Sequence, residues 1–255
     1  MALSDSCMTT LSVPRLIGHR GAKLTSPENT LGGIRQAKKE GANWVEFDVK
    51  LTADGQVVLI HDETVDRTTD GKGLVRQMTL AELRRFDAGV RFGPAWRGER
   101  IPTLVEALAL MAELDMGCNL EVKPCPGREA ETARVALAEL GRLWPKERPV
   151  PVISSFKPAA LAAAREVAPH LPRGFLAETL PPDWLAHMAE LECRTVHPCW
   201  RALTKAQVAA ARTAGYPLLV WTVNEPVRAR ELVAWGVDSL ITDCPAVLGG
   251  ALGSA

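Results

Sequence analysis

Short apolar runs rich in β-branched residues alternate with Ala/Leu-rich amphipathic stretches from residue 15 almost to the carboxyl end. The runs predict strands at 15–20, 43–51, 56–62, 118–123, 150–155, 173–177, 194–198, 217–223 and 238–243. The intervening stretches 30–40, 103–115, 129–140, 157–168, 183–191, 204–214 and 226–235 carry apolar residues at helical spacing. Gly41, Gly117, Gly215 and Gly236 stand just ahead of strands, where a left-handed cap is expected to end each helix. Repeated units of this kind build a parallel sheet covered by helices. Ala53-Asp54-Gly55 is too short for a parallel crossover, so 56–62 is expected to fold back on 43–51 as a hairpin. The remaining eight runs then close a (β/α)8 TIM barrel, an α/β fold. An open doubly wound sheet fits less well, because no Gly-rich nucleotide loop follows the first strand.

Segment 63–102 breaks the rhythm with charged, turn-rich sequence (Asp66 to Gly73, Arg91 to Gly98) around one short helix near 79–86. A long excursion after the second barrel strand is expected to be a small inserted subdomain leaning over the barrel mouth. With 255 residues, 47% of them apolar, the rest of the chain reads as one barrel domain, 1–255. Thirty basic residues balance thirty acidic ones, which argues against nucleic acid or an acidic membrane surface as partner. Any bound anion must be held by local groups. Cys7, Cys118, Cys125, Cys193, Cys199 and Cys244 show no C-x-x-C pair, a usage that suits a reducing compartment. Residues 1–14 lack a basic, apolar leader, and no run approaches ~20 apolar residues, so the expectation is a soluble, cytoplasmic protein without membrane insertion. Nothing in the pattern fixes an oligomeric state.

Active sites of such barrels lie at the carboxyl ends of the strands. Unusual polar residues fall there repeatedly: His19-Arg20-Gly21, Glu46 and Asp48, His61, Glu121-Val122-Lys123, Trp221-Thr222-Val223-Asn224 and Thr242-Asp243. Glu46 and Asp48, two apart on a strand, share a face, as do Glu121 and Lys123, while Phe47 and Val122 face the helices. Glu46, Asp48 and Glu121 could form an all-oxygen site, which favours one divalent cation, Mg²⁺ or Ca²⁺. His19 and His61 titrate near neutrality and could carry protons. Arg20 and Lys123 suit a phosphoryl group, and Trp221 a substrate contact or packing at the barrel top. Taken alone, Glu-x-Asp on a strand is more often a salt bridge, here to Arg20 or Lys123, and a strand-end histidine is more often a hydrogen-bond partner. Charge at five separate strand ends outweighs those readings. His197, beside Pro198 and Trp200, reads as a packed corner, and His170 and His187 receive no role.

Together with Pro27-Glu28-Asn29-Thr30, Asp54-Gly55, His61-Asp62 and Arg67-Thr68-Thr69-Asp70-Gly71, this ordered set resembles the glycerophosphodiester phosphodiesterase family over about residues 15–247. The resemblance implies a barrel with an inserted subdomain, a cation at Glu46, Asp48 and Glu121, and a catalytic pair at His19 and His61. It implies hydrolysis of small glycerophosphodiesters, such as glycerophosphocholine and glycerophosphoethanolamine, to glycerol 3-phosphate and an alcohol. The nucleophile is water, or the glycerol 2-hydroxyl by way of a cyclic phosphate. The alternatives are a lipid phosphodiesterase of lysophospholipase D type, which should expose an apolar rim, and a barrel that binds phosphate without turnover.

Overall fold

A computed structural model describes residues 11–253; Cys7 lies outside the described residues. The strands are β1 (Leu16–His19), β2 (Trp44–Leu51), β3 (Val57–Leu59), β4 (Gly117–Val122), β5 (Val152–Ser155), β6 (Arg173–Ala177), β7 (Thr195–Pro198), β8 (Leu219–Val220) and β9 (Ser239–Thr242). All pair in parallel in the order β7-β6-β5-β4-β2-β1-β9-β8, except β3, which runs antiparallel on β2 with Val49 opposite Leu59. Bridges from Val196 to Leu218 and from Cys199 to Trp221 join β7 to β8, so the sheet closes as a TIM barrel. The helices are α1 (Leu31–Lys39), α2 (Leu80–Leu83), α3 (Leu104–Glu113), α4 (Glu129–Leu143), α5 (Pro158–Val167), α6 (Trp184–Glu190), α7 (Lys205–Thr213), α8 (Pro226–Trp235) and α9 (Pro245–Leu252).

Strand alternation sorts the side chains. Val45, Phe47 and Val49 point outward and pack with Ile34, Leu104, Leu108 and Met111 in the main core. Burying a side chain such as Phe47 contributes about 1.5–3 kcal/mol. The opposite face of β2 turns Trp44, Glu46 and Asp48 into the barrel. There Ile17, Trp44, Val152, Leu219 and Ile241 form an apolar interior below the acidic groups. Segment 63–102 packs Val65, Val75, Leu83, Ala88 and Ile101 on Val58 and Ile60 of the hairpin arm. Its α2 starts with a capping box between Thr79 and Glu82.

Several boundaries differ from the sequence pattern for local reasons. β5 begins only after Pro151, whose missing N–H cannot enter the ladder. β8 shrinks to two residues between Pro217 and the turn toward the mouth. The pattern stopped short of a last helix, but α9 covers the barrel after β9, starting at Pro245. Gly117 does not cap α3: Asp115 takes the left-handed conformation, with φ of 54°, and Gly117 is the first residue of β4. It is glycine because a Cβ there would strike the Trp44 indole.

Inside the barrel His197 is fully buried, its Nε2 2.8 Å from the Thr195 hydroxyl. Burial pushes its pKa down to about 3. The unfolded chain therefore takes up a proton near pH 6.5 that the folded chain refuses. Stability should fall as pH drops below 6.5, with this one group contributing up to roughly 1.4 kcal/mol per pH unit. Denaturant titrations between pH 7 and 4 should show a shallower slope in His197→Gln than in the wild type; equal slopes would disprove the assignment. Gly117→Ala should cost roughly 1–3 kcal/mol by the same measurement, because the Trp44 ring must yield.

Candidate active site

The register of the barrel assembles the site. His19 pairs with Glu46 across β1 and β2, and Asp48 with Glu121 across β2 and β4. Glu46, Asp48 and Glu121 are buried, and each offers a carboxylate oxygen within 4.8 Å of the other two. Like charges this close in a low dielectric repel strongly, and the surrounding groups respond to that repulsion. Arg20 Nε lies 3.1 Å from Asp48, and Lys123 Nζ lies 2.9 Å from Glu121 and 3.8 Å from Asp48. The Asn29 amide donates to Asp48 Oδ2 at 2.9 Å and accepts the Asp48 N–H at 3.2 Å.

Arg20 is brought here by a tight reversal after β1. Arg20 and Gly21 both have positive φ, and a Cβ on Gly21 would come within 2.6 Å of the Gly33 backbone. The reversal points the Arg20 N–H at Glu46, 3.2 Å away.

Burial pushes the Glu46 carboxyl well above the usual range, reinforced by the Asp48 and Glu121 charges. Burial and Asp48 raise Glu121 to about 7. Asp48 is also desolvated, but Arg20, Lys123, His61 and Asn29 together hold it well below the usual range. Three carboxylates thus face two cations, and Glu46 Oε1 and Asp48 Oδ1 are buried without hydrogen-bond partners. Unsatisfied hard oxygens at a site with surplus negative charge fit a divalent cation. The triad can hold a metal ion.

Each histidine has its own carboxylate. His19 Nδ1 is 2.6 Å from Asp243, which also accepts the Asn224 amide at 2.7 Å. His61 Nδ1 is 2.6 Å from Asp62. With Nδ1 engaged, the free ring nitrogen is Nε2, and that of His19 lies 3.8 Å from Glu46. Burial, the largest influence on both, lowers their pKa values despite these acidic partners.

Beside these groups a cavity of about 120 Å³ is lined by His19, Arg20, Glu121, Lys123, Phe156 and Trp221 among others. Trp221 donates from Nε1 to the His197 carbonyl at 2.7 Å and meets Phe156 edge to face at 5.4 Å. One wall is therefore apolar and the other charged. All eight residues singled out from the sequence as candidates, namely His19, Arg20, Glu46, Asp48, His61, Glu121, Lys123 and Trp221, stand in or against this cluster. Sequence reasoning left the orienting residues Glu28, Asn29, Asp62, Asn224 and Asp243 without a role. Their motifs were visible, but a partner in three dimensions gives each its meaning.

Two cationic side chains and two oriented imidazoles beside an acidic cluster make a set of groups able to cleave a phosphate ester. Fold and site define a TIM-barrel phosphodiesterase. Residues 19–247 match the model of the glycerophosphoryl diester phosphodiesterase family. A glycerophosphodiester phosphodiesterase of Caldanaerobacter subterraneus is 39% identical, the match covering 91% of this chain and 95% of that one. One of Bacillus subtilis is 31% identical over 90% of this chain and 83% of its own. The structure of an Oleispira antarctica phosphodiesterase in complex with the product sn-glycerol-3-phosphate is similar, with a TM-score of 0.92, 38% identity, and coverage of 94% and 96%. The chain belongs to the glycerophosphoryl diester phosphodiesterase family. Among the described residues no helix is long and apolar enough to cross a membrane.

A cation entering the triad must displace the protons held by Glu46 and Glu121. Its affinity, measured by calorimetry with Mg²⁺ or Ca²⁺, should weaken as pH falls through about 7. Affinity independent of pH between 6 and 8 would place the ion elsewhere.

Proposed function

We propose that the protein hydrolyses small glycerophosphodiesters, such as glycerophosphocholine and glycerophosphoethanolamine, to glycerol 3-phosphate and an alcohol. The observation that carries this reading is the cavity, where two cations and two carboxylate-oriented histidines meet one apolar wall beside the acidic triad. It gains support from the product, sn-glycerol-3-phosphate, found in the similar Oleispira antarctica enzyme.

Mg²⁺ or Ca²⁺ held by Glu46, Asp48 and Glu121 would supply positive charge to the phosphoryl oxygens. Arg20 brings a planar fork and Lys123 a point charge to the same group. Arg20 is tied to Asp48 and Glu28, and Lys123 to Glu121, so both are in place before substrate arrives. Such preorganisation spares reorganisation during the reaction. Of His19 and His61, one accepts the proton of the nucleophile and the other protonates the leaving alkoxide. Asp243 and Asp62 hold the rings with Nε2 available for that transfer. Trp221 and Phe156 pack against the carbon skeleton. Segment 63–102 acts as a subdomain beside the mouth, where Thr68, Ala88 and Ile101 line a cleft reaching His61. Cys118, Cys125, Cys193, Cys199 and Cys244 are free and buried, in keeping with a cytoplasmic location.

Release of glycerol 3-phosphate from glycerophosphocholine, followed in a coupled assay, should disappear on rigorous chelation and return with Mg²⁺ or Ca²⁺. Persistence without metal would sink the role given to the triad. His19→Ala and His61→Ala should each lower kcat by roughly 10²–10⁴-fold while leaving cation binding intact. The base must be neutral and its pKa is depressed, so the acid limb of kcat/KM should fall below pH 6.5.

A further inference from the structure

Arg67 lies outside the barrel strands with its side chain 48% exposed, yet its guanidinium is fully committed to two carboxylates. Nε and Nη2 donate to Asp62 at 2.7 and 3.0 Å. Nη1 and Nη2 donate to Glu28 at 2.7 and 2.8 Å. Both partners reach into the site. Asp62 is the carboxylate behind His61, at 2.6 Å from Nδ1, and Glu28 accepts the Arg20 guanidinium at 2.8 Å. An unbroken chain Arg20–Glu28–Arg67–Asp62–His61 therefore joins the phosphate clamp to a proton carrier through a residue of segment 63–102.

We propose that Arg67 is a positioning residue for the hydrolysis described above, fixing the His61 ring through Asp62 and the Arg20 guanidinium through Glu28. The inference rests on that functional reading only for its catalytic consequence; the positioning itself is independent of it. A single exposed ion pair contributes little. Two bidentate forks are different, because a planar guanidinium fixes the direction of both carboxylates at once. The Glu28 side chain is only 7% exposed. Without Arg67 it would keep only Arg20 and could turn. Asp62 would keep only the imidazole, leaving nothing to set the plane in which it holds the ring. A lysine cannot replace this arrangement, since one ammonium has no fork to span both groups.

The test compares wild type, Arg67→Ala and Arg67→Lys. Both variants should remain folded, with Tm close to wild type. Arg67→Ala should lose roughly 10–100-fold in kcat, the range usual for partners that orient active-site ligands. KM should rise as well, because Arg20 loses its brace. Arg67→Lys should recover little of either. Millimolar methylguanidinium should rescue the alanine variant saturably, and methylammonium should not. A second readout needs no turnover: the nitrogen resonances of His61 should show a protected Nδ1–H in the wild type and rapid exchange in both variants. Wild-type kcat and KM in Arg67→Ala, equal rescue by the two cations, or an unchanged His61 spectrum would each overturn the proposal. If the wild type fails to cleave glycerophosphodiesters, the His61 spectra still decide whether Arg67 positions the ring, and the functional reading falls alone.

Discussion

Three carboxylates buried within 4.8 Å of one another are the constraint around which this protein is arranged. Desolvation and mutual repulsion would drive such a group apart or protonate it. The surrounding structure answers with Arg20, Lys123 and the Asn29 amide on Asp48, while Glu46 and Glu121 remain pushed toward the protonated form. Asp48 is stabilised as an anion, and its two neighbours are held at the point where a cation would ionise them. Phe47 and Val49 on the outer face of β2, and Leu120 and Val122 on that of β4, lock the register that forces the carboxylates together.

The same register explains why the barrel interior is divided. Below the acidic layer lie Ile17, Trp44, Val152, Leu219 and Ile241, which exclude water and keep the dielectric low. Above it the chain reverses sharply at Arg20 and Gly21 and leaves β2 for the antiparallel hairpin that carries His61. The hairpin also supports segment 63–102, since Val58 and Ile60 form part of its apolar cluster. An interruption of the regular barrel thus supplies both a histidine and the surface from which Arg67 reaches Asp62 and Glu28. Each of the two histidines has an orienting carboxylate from a different source: Asp243 follows β9, whereas Asp62 follows the hairpin.

Much of this was legible in the chain. The alternation of strand and helix, the short turn at Ala53-Asp54-Gly55 and the polar strand ends pointed to a closed barrel with an antiparallel arm. Those signals are local, and each element answers to its own periodicity. Less legible was Gly117, which resembles a helix cap in sequence and is instead a strand residue pressed against Trp44. Nor did the apolar run 217–223 reveal how little of it pairs as β8, because its neighbours across the closure decide that.

Residue types and their spacing by themselves determined which groups could share a face: Glu46 with Asp48, Glu121 with Lys123, and Phe47 and Val122 opposite them. A strand repeats every two residues whatever surrounds it, so this information is carried by the chain alone. Only the tertiary structure decided which partner each group received. Asp243 reaches His19 from the far end of the chain, Asn29 takes a left-handed turn to clamp Asp48, and Arg67 spans Glu28 and Asp62. These contacts depend on strand register, loop reversal and burial, which set distance and dielectric, and no single segment encodes either.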